Sequence, residues 1–378
     1  DIRAVIGHLE QARQFEGPVL VHAITRKGKG FKAAEEHEKD QFHAVGRIDE
    51  VTGQPLSDAV QATWTDAFGD AMLRIGERRT DVVAITAAML HPTGLNRFAA
   101  AFPDRVFDVG IAEQHAVVSA AGLARAGVHP VVAVYATFLN RAFDQILMDV
   151  ALHGAGVTFA LARAGVTGTD GPSHNGVWDL SMLGLIPTVE IAAPRDQPRL
   201  VAALERAVTV QDVPTVLRYS KERLPTDIPA VACRGEGRDQ VDLLRVDSDA
   251  NILVVGYGQF AGIGLGVAEK LAAAGVPCTV ADPTWCIPLS PQLIRLAQEH
   301  EMVVSIEDNL VAGGLGEKLL GRLAGTGPQV LIFGVRHGFL AQGTREEVLE
   351  ALGLTARDIA RHVLETMLQR RAEITQPV

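Results

Sequence analysis

The 378-residue chain is 47% hydrophobic and carries a formal net charge of −10, which is enough apolar sequence for two or three cores at about 100–200 residues per domain. The acidity argues against a general nucleic-acid surface or an acidic-membrane surface, and leaves open a local basic pocket for a phosphate. No apolar run approaches a membrane span and the start shows no signal peptide. Three cysteines at positions 233, 278 and 286 lack zinc spacing and fit reduced thiols in the cytoplasm better than a disulfide framework.

The opening segment predicts a helix over 2–15 and an apolar strand, "PVLVHAIT", over 18–25, followed by the polar, glycine-broken "RKGKGFKAAEEHEKDQFHAVGRID". One helix and one strand cannot bury a core, so this segment reads as the tail of a domain, and a chain that begins with Asp1 is expected to be a truncation. Strand-like runs then alternate with helical patterns, the signature of α/β architecture with mainly parallel sheets. Strands are expected at 81–86, 106–110, 130–135, 157–162, 188–193 and 214–219, and helices at 57–77, 112–126, 138–153 and 196–209. "RLPTDIPAVACRGEGRDQ" breaks the pattern with proline, glycine and charge and reads as a linker. A second α/β block follows from "NILVVGYGQFAGIGLGVAEK" onwards. Its glycines miss the offsets of a dinucleotide fingerprint and fit a tight strand-to-helix turn instead.

Polar residues gather where strands end, which is where open α/β sheets place their clefts. Glu113 opens the small-residue helix "EQHAVVSAAGLA". It is either an ordinary partner of the helix dipole or a buried carboxylate in need of a hydrogen-bond donor, and both readings stay open. "YATFLNRAFDQ" holds Tyr135, Phe138 and Arg141; "ARAGVTGTDGPSHNGVWD" holds Arg163, Asp170 and His174; "RYSKERL" holds Arg218, Lys221 and Arg223. Each alone fits a packed aromatic or a solvated charge. Together the arginines and the lysine suit a phosphate or carboxylate, and a loop histidine can move protons near neutral pH. With no Ser-His-Asp order, zinc helix motif or Walker loop, chemistry here calls for a cofactor.

"DVGIAEQHAV", "YATFLNRAFDQ", "RAGVTGTDGPSHNGVWDLS" and "FLAQGTREEVL" closely resemble the 1-deoxy-D-xylulose-5-phosphate synthase family, thiamine-diphosphate enzymes of the transketolase superfamily. The resemblance runs along essentially the whole chain. It implies two parallel-sheet α/β domains, a transketolase-like pyrimidine-binding domain at 51–228 and a transketolase C-terminal domain at 245–378, joined by a linker at 229–244. Residues 1–50 would be the remnant of an N-terminal diphosphate-binding α/β domain. The family condenses pyruvate with glyceraldehyde 3-phosphate, releasing carbon dioxide, for non-mevalonate isoprenoid synthesis and for thiamine and pyridoxal formation. Thiamine diphosphate and Mg2+ are therefore the implied cofactors, with the metal ligands in the part of the N-terminal domain that is not found here. The implied assembly is a cytoplasmic homodimer, without nucleic-acid or membrane partners.

By the same resemblance Glu113 would hydrogen-bond the ring nitrogen of the cofactor's aminopyrimidine, Phe138 would stack on that ring, and Met89 of "TAAML" would line its pocket. Tyr135, Arg141, Arg163, Asp170 and His174 would face the substrates, with Arg163 on the triose phosphate and His174 handling the pyruvate-derived group or its protons. Lys27 of "RKGKG" resembles a cofactor-phosphate contact and His43 of "FHAVGRID" an active-site histidine. Where many relatives read Arg-Tyr-Pro-Arg-Gly, this chain has "RYSKE". Lys221 keeps a positive charge for a phosphate without the arginine fork, and Glu222 adds a negative one. Ala162 stands where an aspartate commonly precedes the arginine, which is expected to leave Arg163 less firmly oriented.

Two further readings follow. The chain is the pyrimidine-binding subunit of a split transketolase-like or 2-oxoacid dehydrogenase enzyme, paired with a separate diphosphate-binding chain, or it is a non-catalytic scaffold half-protein. Retention of Glu113, Arg163 and His174 weighs against the last.

Overall fold

The computed structural model describes residues 1–37, 41–43, 45–54, 56, 62–325 and 327–375. It divides into two units, Asp1–Val60 and Gln61–Val378.

In the first unit, α1 (Ile2–Ala12) is capped by Asp1, whose carboxylate accepts from the Arg3 N–H at 3.0 Å; a single turn, α2 (Lys32–Glu35), follows. The strand expected at 18–25 is not formed, and Leu20 and Ile24 are 92% and 88% exposed. A strand needs a neighbour for its backbone groups and a surface for its apolar face, and the described part of this unit offers neither. On α1, Ile2, Val5, Ile6 and Leu9 are likewise exposed.

Among its described residues the second unit is built on thirteen strands: β1 (Val82–Thr86), β2 (Val106–Asp108), β3 (His129–Tyr135), β4 (Thr158–Ala162), β5 (Glu190–Ala192), β6 (Thr215–Arg218), β7 (Ala232–Arg234), β8 (Val241–Val246), β9 (Ile252–Gly256), β10 (Cys278–Asp282), β11 (Trp285–Ile287), β12 (Met302–Leu310) and β13 (Gln329–Val335). They form a seven-stranded sheet in the order β11-β5-β6-β4-β3-β1-β2 and a six-stranded sheet in the order β13-β12-β9-β10-β8-β7. Pairing is parallel except for β11 on β5 and for β7 and β8. β1, β3 and β4 are buried at every position, as befits central parallel strands covered on both faces.

The expected linker is in part sheet. β7 and β8 pair antiparallel within it, and β8 pairs antiparallel with β10. The alternation signal in "VDLLRV" was masked by the glycines and charges just before it. β11 also escaped the sequence reading: the chain leaves the second sheet after β10 and β11 joins the edge of the first by pairing with β5, Trp285 opposite Ala192.

Helix α3 (Trp64–Arg78) starts at a capping box in which Thr63 and Asp66 satisfy each other's backbone N–H; residues 57–61 of the helix expected there lie outside the described residues. α4 (Asn96–Ala101) and α5 (Glu113–Arg125) follow. The helix expected at 138–153 is broken into α6 (Ala136–Leu139), a 3-10 turn Asn140–Ala142, α7 (Phe143–Gln145) and a π-helical stretch Ile146–Ala151. Such interruptions recur at functional sites. Further on come α8 (Asp179–Leu183), α9 (Gln197–Ala207), α10 (Phe260–Ala273), α11 (Pro291–Gln298), α12 (Leu315–Leu323), α13 (Arg345–Ala351) and α14 (Ala356–Thr375). α10 and α14 pack together over the second sheet's core, which includes Val254, Val280 and Val304. Among the described residues no helix is long and apolar enough to cross a membrane.

Candidate active site

The parallel strands β1, β3, β4 and β6 bring four loops to one edge of the first sheet. Their registers place Thr86 level with Ala133, Tyr135 with Ala162, and Leu161 with Arg218. The residues just beyond these ends include Met89, Phe138, Arg141, Arg163 and Lys221. Tyr135 and Phe138 stack with their ring centroids 5.5 Å apart, and the edge of His174 meets Phe138 at 5.6 Å. The Arg163 guanidinium sits 4.3 Å from the centre of the Tyr135 ring, a cation–π contact.

Arg163 has φ of 58°, an unusual value for a residue with a side chain and of the kind that clusters at functional positions. Its Nη1 donates to Asp170 Oδ2 at 2.7 Å, and Lys221 Nζ donates to Asp170 Oδ1 at 2.6 Å and to Thr169 Oγ1 at 3.0 Å. Burial pushes the Asp170 carboxyl up, but the hydrogen bond from Lys221 and the Arg163 charge outweigh it and hold it below the usual carboxylate range. Burial raises the Tyr135 hydroxyl above its ordinary value despite the nearby Arg163. The orientation that Ala162 was expected to cost Arg163 is supplied from its other side, by Asp170 and the Tyr135 ring.

Glu113 begins α5, and its side chain is 3% exposed. Oε2 has no hydrogen-bond partner, and the cation facing it is Arg141 Nη1, 3.7 Å away. Its place in the first turn lets the helix dipole stabilise the negative charge, but a buried carboxylate oxygen without a donor is rare enough to demand a reason. A ring N–H delivered by a ligand supplies one. On this count Glu113 fits a nitrogen heterocycle; Phe138 is half-buried against the core that holds Met89.

Asp108 was missed by sequence reading. Its Oδ1 accepts from the backbone N–H of Ala88 at 2.7 Å and of Gly110 at 3.1 Å. It thereby ties the turn that carries Met89 to the turn that leads into Glu113. A short polar residue at a strand end was the available signal. Arg218, expected among the cleft cations, is buried instead. Its Nε and Nη2 donate to the Asp179 carboxylate at 2.7 and 3.1 Å and Nη2 to the Asp308 carbonyl at 3.0 Å, so it is committed to internal structure. Lys27 and His43 lie in the first unit and are exposed. None of the three cysteines forms a disulfide.

Residues 60–226 match the family described as transketolase, pyrimidine binding domain, and residues 242–359 match transketolase, C-terminal domain. The chain belongs to the transketolase family. It is 50% identical over 380 residues to the 1-deoxy-D-xylulose-5-phosphate synthase of Leifsonia xyli subsp. xyli, covering 100% of this chain and 58% of that protein. To the enzyme of the same name from Streptomyces sp. strain CL190 it is 53% identical over 362 residues, 95% of this chain and 57% of that one. The chain therefore spans a little under three-fifths of these relatives. Among solved structures, one described as "Split gene transketolase, inactive beta4 tetramer" superposes with a TM-score of 0.71 at 28% identity, over 79% of this chain and 96% of that one. A transketolase from Campylobacter jejuni shares the fold at a TM-score of 0.69 and 18% identity, over 81% of this chain and 47% of its own.

Proposed function

We propose that this chain is the pyrimidine-binding and C-terminal part of a thiamine-diphosphate-dependent synthase that condenses pyruvate with glyceraldehyde 3-phosphate to 1-deoxy-D-xylulose 5-phosphate and carbon dioxide. The observation that carries this reading is the buried, donorless Oε2 of Glu113 at the edge of a transketolase-type sheet. When bound, thiamine diphosphate supplies a nucleophilic carbon and an electron sink. Glu113 holds a proton shared with the pyrimidine ring nitrogen, and its burial keeps water from competing for that hydrogen bond. Phe138 offers a face to the ring, and Met89 closes its pocket. On the acceptor side, Arg163 and Lys221 share the single charge of Asp170, so one positive charge is left over for the triose phosphate. Tyr135 orients Arg163 through its ring, Arg141 faces both Glu113 and the substrate space, and His174 moves a proton at the pyruvate-derived group.

Among the described residues no three His, Cys, Asp or Glu side chains converge to hold a metal ion. We assign the Mg2+ ligands to the part of the relatives that this chain does not match. The turn before α5, α5 itself and the π-helical stretch with its cap expose Ile111, Val118, Met148 and Leu152, apolar side chains suited to a second copy, and we propose a cytoplasmic homodimer. A second reading, a subunit of a split enzyme with a separate diphosphate-binding chain, draws on the 96% coverage of the split-gene structure.

The purified 378-residue chain is expected to produce no deoxyxylulose phosphate by itself and to gain that activity when joined to, or mixed with, a diphosphate-binding domain. Turnover by the chain alone contradicts the division of labour, and no turnover in any combination contradicts the reaction.

A further inference from the structure

The segment "FLAQGTREEVL" was singled out in the sequence, yet it supplies none of the site residues above. Its Thr344 forms a capping box with Glu347 at the start of α13, which fixes Arg345 as the first residue of that helix. Arg345 does not face water: its side chain is 10% exposed and its Nη2 donates to Asp308 Oδ2 at 2.6 Å. Asp308, on β12 of the second sheet, is 4% exposed and accepts from the Val166 N–H through Oδ1 at 2.9 Å. Arg345 Nη1 donates to the Val166 carbonyl. The Arg345–Asp308 pair thus grips both backbone polar groups of one residue, Val166, three positions beyond Arg163.

Other contacts from the same two segments hold the rest of that loop. Gln342 Nε2 donates to the Thr169 carbonyl at 3.0 Å, next to Asp170. The Leu310 N–H donates to the Val177 carbonyl at 2.6 Å, and Trp178 meets Phe339 edge to face at 6.4 Å. Gly168, with φ of 68°, lies so close that a Cβ there would come within 2.7 Å of the Arg345 backbone nitrogen. Between these anchors, Asn175 Oδ1 accepts from the N–H groups of Thr167 and Gly168 at 2.9 and 3.1 Å and its Nδ2 donates to the Gly171 carbonyl at 3.1 Å, so that the loop is closed on itself.

We propose that Arg345 and Asp308 of the C-terminal domain are positioning residues for the synthase reaction: they brace the 164–177 loop of the pyrimidine-binding domain and thereby set where Arg163, Asp170 and His174 stand. The proposal rests on the functional reading given above, and neither residue touches substrate. Because both partners are nine-tenths buried, removal of one leaves the other without its counter-charge, and the loop is the element free to move in response.

The test uses the full-length protein with both substrates and thiamine diphosphate, comparing wild type with Arg345→Ala, Arg345→Lys and Gln342→Ala. Three readouts are taken: amide hydrogen exchange across 164–177, kcat/KM, and the Kd for thiamine diphosphate. Arg345→Ala is expected to raise exchange within the loop and lower kcat/KM on the order of 10²-fold, the scale of a misplacement of about 1 Å, with the cofactor Kd within about twofold of wild type because Glu113 and Phe138 lie outside the loop. Arg345→Lys recovers part of the loss, since it restores the charge with fewer directed donors. Gln342→Ala, at an exposed position with no folding risk, raises exchange near Thr169 alone and has a smaller kinetic effect. Unchanged loop exchange in Arg345→Ala and Gln342→Ala overturns the proposal, as does a loss of cofactor binding that parallels the loss of kcat/KM. Wild-type protein without synthase turnover contradicts the functional reading, and the exchange data then still decide whether the brace exists.

Discussion

Asp170 and Glu113 are carboxylates at the same edge of one sheet, but Asp170 receives Arg163 and Lys221 at 2.7 and 2.6 Å whereas Glu113 is buried with Arg141 no nearer than 3.7 Å and one oxygen without a donor. The chain completes the surroundings of Asp170 from its own residues. It leaves those of Glu113 open. A carboxylate that is saturated organises its cations and draws its pKa down; a carboxylate left short of donors carries a cost that folding alone does not offset. Under the proposed function, the Asp170 side would be a preformed anion site and the Glu113 side one finished by a ligand.

The largest expected effect separates the buried arginine of "RYSKE" from its exposed-end lysine. Arg218→Ala strands Asp179 without its partner and is expected to cost about 3–5 kcal/mol of stability, the scale of breaking a buried pair, measured by urea unfolding. A loss below about 1 kcal/mol would return Arg218 to the list of candidate ligand-binding cations. Next in size, Lys221→Ala in the full-length protein is expected to raise the KM for the triose phosphate about tenfold, a single charge-assisted contact, with kcat and the KM for pyruvate little changed. Lys221→Arg is expected to lower that KM, because a guanidinium can keep Asp170 and still present a second donor. Equal KM values for all three proteins would remove Lys221 from the acceptor site.

Much of the first sheet was legible because its strands are apolar runs bounded by turns and its helices have regular periods. β1, β2, β4, β5 and β6 fall within the predicted runs, and β3 begins one residue before its own, at His129. β7, β8 and β11 were not legible: the first two sit in a stretch dominated by charge and glycine, and β11 is three residues long and earns its place only by pairing with β5, a partner some ninety residues away in sequence that no local pattern names. "PVLVHAIT" failed in the opposite direction, since its apolar pattern is correct for a strand but the described unit holds no sheet to receive it. In the site, Glu113, Phe138, Arg163, Asp170 and His174 came from motifs, and the structure joins Phe138 to His174 and Arg163 to Asp170. Asp308 and Arg345 received no role from the sequence because their partners are backbone groups or charges brought near by folding, and Asp108 offered only its place as a short polar residue at a strand end.

Glu113 is held with one oxygen that the described chain does not itself satisfy. Its most direct test is one substitution, Glu113→Gln, measured two ways in the full-length protein: the urea midpoint without cofactor, and kcat with thiamine diphosphate and both substrates. Removing a buried charge with too few donors is expected to leave the midpoint unchanged or raise it, while the lost carboxylate lowers kcat by about 10²–10⁴-fold. A variant that unfolds more easily and still turns over at the wild-type rate would contradict the account.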